Sequence, residues 1–308
     1  MATFSQIINK VNCGAAELLG TGNKFCKFDL KMPAVLEFIE KGTKVLPADT
    51  FDLSYVQTEQ QKGRSIIVKG IIDFANNTPD NDYRTLAATG EMTTTLKHPY
   101  QWMFTFDSGL YNHKALSKLE SNKEYDLRIY DINGNCLMAV DGEGNGTGLD
   151  MGILSIGAYA IGNENATTMM IQVDRVSFDS DAAWVTQENL GFRASRDLDG
   201  YNDVTLVIPV APANLATTFN FTVMANSNNK LVPLQGLVIA DFLYQVDGVT
   251  ATPTLLATTT PGNYTLTVPA LATGDVLTLT LFDSALNAYI INLDGTLYKS
   301  NIATTVVV

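Results

Sequence analysis

The chain has 308 residues, 46% of them hydrophobic and 17% charged, with a formal net charge of -12 and a pI of about 4.5. That acidity excludes a protein that grips nucleic acid by its phosphates, which needs a cationic footprint. The apolar content excludes a disordered chain and suffices for two domains of ordinary size.

Taken in chain order, Phe4, Ile7, Ile8, Val11, Ala15 and Leu18 recur at three- and four-residue steps and predict an amphipathic helix ending near Gly20 and Gly22. KFCKFDLK alternates and reads as a strand, while residues 33–40 are too few to assign between helix and strand. Residues 43–64 are polar and rich in breakers, with one alternating island at Phe51, Leu53 and Tyr55, a pattern that predicts a long hairpin or extended arm. Residues 66–74 are an apolar run, 76–83 a turn-rich loop, and 91–97 a strand that stops at His98 and Pro99. Over residues 101–106, Trp102, Phe104 and Phe106 fall on one face of a strand and Gln101, Met103 and Thr105 on the other, so the three rings belong to the core. A short helical pattern covers residues 113–119. Tyr125, Leu127 and Ile129 then alternate into Asn133-Gly134, which predicts a tight hairpin with positive φ at both positions and a return strand over 136–140. Strand-like runs follow at 151–161 and 167–178, and residues 193–203 read as a linker.

Residues 201–308 hold six Asp and two Lys but no Glu, Arg, His, Cys or Trp. Predicted strands at 204–210, 219–223, 234–240, 264–268, 276–281 and 288–293, with turns at 226–229, 261–263 and Asp294-Gly295, are spaced as in a β-sandwich. Of its aromatic residues, most read as core, with Tyr244 and Tyr298 as candidates for the surface.

The residue types that carry chemistry are sparse. His98 and His113 are the two histidines, and there is no G-x-S-x-G elbow, no phosphate-binding loop and no dinucleotide glycine motif. Cys13, Cys26 and Cys136 are too widely spaced for a zinc site or disulfide framework and read as buried free thiols. Asp141, Glu143 and Asn145 imitate the start of an EF-hand loop, but Gly152 stands where the bidentate Glu belongs. Asp197, Asp199 and Asp203 around Gly200 read as a solvated hinge. The expectation is a protein that is not an enzyme, with no catalytic residue, cofactor or metal. No secretory leader and no stretch of roughly 18 apolar residues stands out, which predicts a chain folded in a cytoplasm, off the membrane.

Over residues 1 to about 190, the order of arm, strands, short helix at HKALSKLES, YDLRIYDINGNCLMAV hairpin and closing strands resembles the tail tube proteins of tailed bacteriophages. The stretch VTLVIPVAPANLATTFNFTVMANSNNK and onward is similar to the immunoglobulin-like decorations of phage virion proteins. The resemblance implies a mainly β chain: a tail-tube-like sandwich or barrel with a flanking helix and long arm over 1–195, a linker over 196–203, and an immunoglobulin-like sandwich over 204–308. It implies partners too: copies of itself in stacked hexameric rings, other virion proteins, and DNA passing without specific binding through an acidic lumen. Glu91, Asp126 and Asp174, on polar faces of predicted strands, are the lumen candidates, and Phe51, Leu53 and Tyr55 the inter-ring arm. The location implied is the virion, assembled in the host cytoplasm. A capsid decoration or head-fibre protein is the first alternative. A glycan-binding adhesin, taking a host-surface glycan on the C-terminal domain, is the second.

Overall fold

The structure, a computed structural model, describes residues 2–10, 31–85, 89, 92–107, 110–119, 125–159, 166–227 and 230–308. The chain is mainly β and divides into two compact units, Met1–Val56 with Ser65–Leu198, and Gln57–Arg64 with Asp199–Val308. No helix among the described residues is long and apolar enough to cross a membrane.

The strands of unit 1 are, in chain order, β1 (Asn9–Lys10), β2 (Pro33–Glu40), β3 (Ser65–Lys69), β4 (Ile71–Asn76), β5 (Asp82–Thr85), β6 (Met92–Leu96), β7 (Tyr100–Asp107), β8 (Tyr125–Asp131), β9 (Cys136–Val140), β10 (Gly146–Thr147), β11 (Leu149–Ile156), β12 (Ala166–Val173) and β13 (Ala182–Val185). A single hydrogen-bonded path runs β1-β13-β9-β8-β11-β12-β7-β4, with β2 joining β8 to β3 and β10 lying on β9. Strand β11 makes this path turn from one sheet into another. It pairs with β8 through Leu149 and Asp150, then with β12 from Met151 onward across a bulge before Leu154.

Strands β2, β8 and β9 are buried on both faces; β9 is apolar throughout, whereas β2 and β8 hold Glu37, Asp126, Arg128 and Asp131 among their buried residues. Leu36, Phe38, Leu127, Ile129 and Leu137 point to one core, shared with Trp102, Phe104, Phe106, Met169 and Ile171 of the second sheet. Val35, Tyr130, Cys136 and Met138 point to another, filled by Phe4, Phe51, Val56, Leu190 and Phe192. The predicted alternation of Trp102, Phe104 and Phe106 is present, all three being buried in β7.

Residues 43–64 depart from the expected arm. Their centre is a helix, Leu53–Gln61, and Phe51 is buried (1% exposed), in edge contact with Phe4 at 6.0 Å and with Tyr55 at 5.7 Å. Asp52 caps the helix through a 3.0 Å bond from the Tyr55 N–H to its Oδ1. Phe51 and Val56, before and after that cap, enter the same core in the manner of a hydrophobic staple. Leu53 and Tyr55 pack beside it, half-buried, so none of the three residues extends from unit 1 as an arm. The Asn133-Gly134 turn also differs. Gly134 has φ of 89° but Asn133 is not in the left-handed region, and the Asp131 N–H reaching the Asn135 carbonyl at 2.9 Å closes a longer loop.

Unit 2 contains β14 (Asn202–Val207), β15 (Thr218–Ser227), β16 (Lys230–Pro233), β17 (Phe242–Val246), β18 (Val249–Thr250), β19 (Leu255–Thr260), β20 (Asn263–Thr267), β21 (Val276–Leu281), β22 (Ile291–Leu293), β23 (Thr296–Ser300) and β24 (Ala303–Val306). They form two sheets, β19-β20-β15-β14-β23-β22 with β16 beside β15, and β18-β17-β21-β24. The inward residues of both sheets meet in one core around Phe221, whose ring lies 5.3 Å from Phe242 and 5.6 Å from Tyr264. Tyr244 is in that core at 1% exposure and is not a surface residue, while Tyr298 is half-buried. Residues 234–240 are not a strand: Leu234 and Leu237 plug the core from a loop that ends in a 3-10 turn at Ile239–Asp241. Asp294 and Gly295, with φ of 52° and 83°, make the tight turn between β22 and β23 that their sequence favours.

Candidate assembly surface

After β4 the chain leaves the body of unit 1 as a two-stranded ribbon, β5 paired antiparallel with β6. All nine of its strand residues are exposed, Tyr83, Met92 and Leu96 being 55%, 69% and 51% accessible. The Met-Thr-Thr-Thr-Leu sequence of β6 favours an extended backbone through its β-branched residues. An isolated hairpin is marginally stable in water, and one that displays apolar side chains gains nothing from staying unpartnered.

The root of this ribbon is fixed. Arg175 Nη1 donates to Asn81 Oδ1 at 2.7 Å, and its guanidinium lies 5.4 Å from the centre of the Tyr100 ring. The Tyr100 hydroxyl donates to Asp179 Oδ1 at 2.9 Å, while burial and that carboxylate both push its pKa up. Thr78 Oγ1 accepts the Gln101 N–H at 2.9 Å, and His98 Nε2 lies 3.5 Å from Asp82 Oδ2. The ribbon thus projects from an ordered base, which lowers the entropy lost when a partner adds to it.

The ribbon follows strand β4, which has β7 on one side and no described strand on the other. Such an edge presents backbone donors and acceptors to any incoming strand, and Ile72 beside it is 52% exposed. On the face of β7 and β12 turned away from the core stand Gln101, Met103, Thr105 and Asp107 opposite Gln172, Met170, Thr168 and Ala166. Asp73 and Ala75 continue this face on β4. It carries two Asp and no Lys or Arg.

Two of the three lumen candidates are described, and they flank β11: the Asp174 N–H donates to the Asp150 carbonyl at 2.9 Å, and Asp150 pairs with Asp126. Asp174 is the exposed N-cap of the helix Arg175–Asp181, accepting the Ser177 N–H at 2.7 Å. It borders a shallow groove of about 480 Å³ lined also by Lys97, Pro99, Arg175, Val176, Asp179 and Ser180. Asp126 lies on β8 and is buried at 8% exposure, so it cannot line a passage from its present position. Glu91 lies outside the described residues. Sequence reasoning missed the ribbon because residues 76–83 read as a loop and 91–97 as a lone strand. Thr93, Thr94 and Thr95 were the signal for half of it.

The other candidate groups have structural partners. Burial works against the charge of Asp141, yet Lys44 at 2.9 Å, the Asn145 amide and two backbone N–H groups hold its pKa well below the usual carboxylate range. Its oxygens thereby close a turn. Cys136 is a buried free thiol whose pKa burial raises, and Cys13 and Cys26 lie outside the described residues. His113 Nδ1 is 3.2 Å from Thr167 Oγ1. Among the described residues no group of three or more His, Cys, Asp or Glu converges as a metal site.

The molecule is thus a two-unit β protein with an exposed, well-rooted ribbon on the first unit. No family model and no curated protein matches the chain. Among solved structures, a mixed-linkage glucan utilization protein of Bacteroides ovatus, SGBP-B in complex with a mixed-linkage heptasaccharide, aligns at 15% identity with a TM-score of 0.19. The alignment covers 57% of this chain and 41% of that one, and the likeness is too slight to bear on fold or ligand.

Proposed function

We propose that this chain is a structural subunit that assembles with copies of itself, and more specifically a tail tube subunit of a tailed bacteriophage. The observation that carries the reading is the β5–β6 ribbon, exposed along both strands and anchored at its root. In an assembly the ribbon lays its backbone and its three apolar side chains against a neighbouring copy, and the edge of β4 offers a second place for strand addition. The face of β7 and β12 suits a passage for DNA, because a wall without cations gives phosphates nothing to hold. Six-fold rings are what the resemblance to tail tube proteins implies, with unit 2 displayed outside the tube.

Replacing Tyr83, Met92 and Leu96 together by Ser tests this reading by sedimentation velocity. The wild-type chain is expected to form large species as concentration rises, and the triple variant to stay monomeric. Both tryptophans of the chain, Trp102 and Trp184, are in unit 1, so an unchanged fluorescence melt would show that the variant keeps its fold. Equal assembly of variant and wild type would contradict the role of the ribbon, and a wild type that never associates would contradict the reading as a whole.

A further inference from the structure

A second feature of unit 1 stands apart from the assembly reading. Where β11 leaves β8 for β12, Asp126 of β8 faces Asp150 of β11 directly across the ladder. Like charges in such a pair repel. Asp150 is held by Lys41 Nζ at 2.7 Å, on the exposed side of the seam. Asp126 is buried, and its Oδ1 has no hydrogen-bond partner among the described residues. It has little room to escape, because a Cβ at Gly148 would lie 2.5 Å from the Asp126 Cβ. On the other side β2 opposes Asp126 with Ile39, while Arg128, two residues along the same face of β8, is tied to Glu37 of β2 at 3.4 Å. Glu40 stands opposite Tyr125 at the end of β2. The charged groups around Asp126 are therefore Asp150, Lys41 and the Arg128–Glu37 pair, with Glu40 at the rim.

We propose that Asp126, Asp150 and Lys41 form a proton-dependent clasp that holds the β8–β11 seam closed when Asp126 is neutral and loosens it when both carboxylates are charged. Burial, together with Asp150 and against the pull of Lys41 and Arg128, raises the Asp126 pKa to about 6. Because the folded value lies above the unfolded one, the protonated carboxyl contributes stability that is complete below the ordinary Asp value. That contribution is lost as pH rises through about 6. The bulge between Met151 and Leu154 lies just beyond this pair, so loosening here acts on the point where one sheet passes into the other.

Hydrogen exchange by mass spectrometry on the full chain tests the clasp, with rates corrected for intrinsic exchange. Between pH 5 and 7.5, amides of residues 125–131 and 149–151 should lose at least roughly tenfold in protection, while those of 100–107 hold theirs. Asp126→Asn should abolish the pH dependence, and Asp150→Asn should move it to lower pH. Lys41→Met should move it to higher pH. If Asp126→Asn fails to fold, the opposite displacements in the other two variants still decide the matter. Constant protection across this range in the wild type, or a pH dependence that survives in Asp126→Asn, would overturn the proposal.

Discussion

Arg128→Ala is expected to destabilise unit 1 by roughly 3–5 kcal/mol, the usual effect of removing one partner from a buried ion pair. Glu37 and Arg128 are both 0% exposed, with Nη1 and Oε1 3.4 Å apart. The carboxylate also accepts from the Tyr130 hydroxyl at 2.8 Å and from Ser65 Oγ at 2.9 Å, so it is well bonded but relies on Arg128 for charge. The guanidinium is less well served: Nε and Nη2 have no hydrogen-bond partner among the described residues, and the group lies 5.3 Å from the centre of the Phe51 ring. Its attraction to Glu37 and to that ring must offset a large desolvation penalty. Removing both charges should therefore cost much less than removing one. Urea unfolding followed by tryptophan fluorescence should place the double variant Glu37→Leu with Arg128→Met well above either single variant. Additive losses, or a loss below about 1 kcal/mol for Arg128→Ala, would show that the two charges are not paired.

Phe221→Ala should remove a similar amount, about 3–5 kcal/mol, from unit 2 through the cavity it leaves. Phe221 is 0% exposed, and its ring touches those of Phe219, Phe242 and Tyr264, which come from both sheets. Tyr264 cannot easily shift into the space because its hydroxyl donates to the Leu234 carbonyl at 2.8 Å. In calorimetry the transition of unit 2 should fall by on the order of 10–20 °C. Unit 2 contains no Trp, so the fluorescence melt should stay in place. A cost near 1 kcal/mol would mean that the two sheets close over the gap.

The parts of the fold that the sequence made legible are those where one face is buried and the other is not. Trp102, Phe104 and Phe106 alternate with polar or flexible residues, and β7 follows from that alone. Phe51, Leu53 and Tyr55 alternate as well, but by accident. The Asp52 cap and the Phe51–Val56 staple outweigh a period-two pattern of three residues, and a helix results. Residues 234–240 are apolar because Leu234 and Leu237 close the core from a loop, where no ladder forms. The ribbon was the least legible element for a physical reason. Exposed on both faces, it has no cause to alternate, and its pairing, from Asp82 with Leu96 to Thr85 with Met92, places no side chain in a core. The burial of Asp126 was equally hidden, since a carboxylate at an inward position looks like one on a solvated face until its neighbours are known.

Self-association through the ribbon is tested most directly by electron microscopy of the purified full chain in negative stain, across a concentration series and beside the Tyr83, Met92 and Leu96 triple Ser variant. The account predicts rings or stacked tubes with an open channel in the wild type and single particles in the variant. Single particles in both, at every concentration, would contradict it.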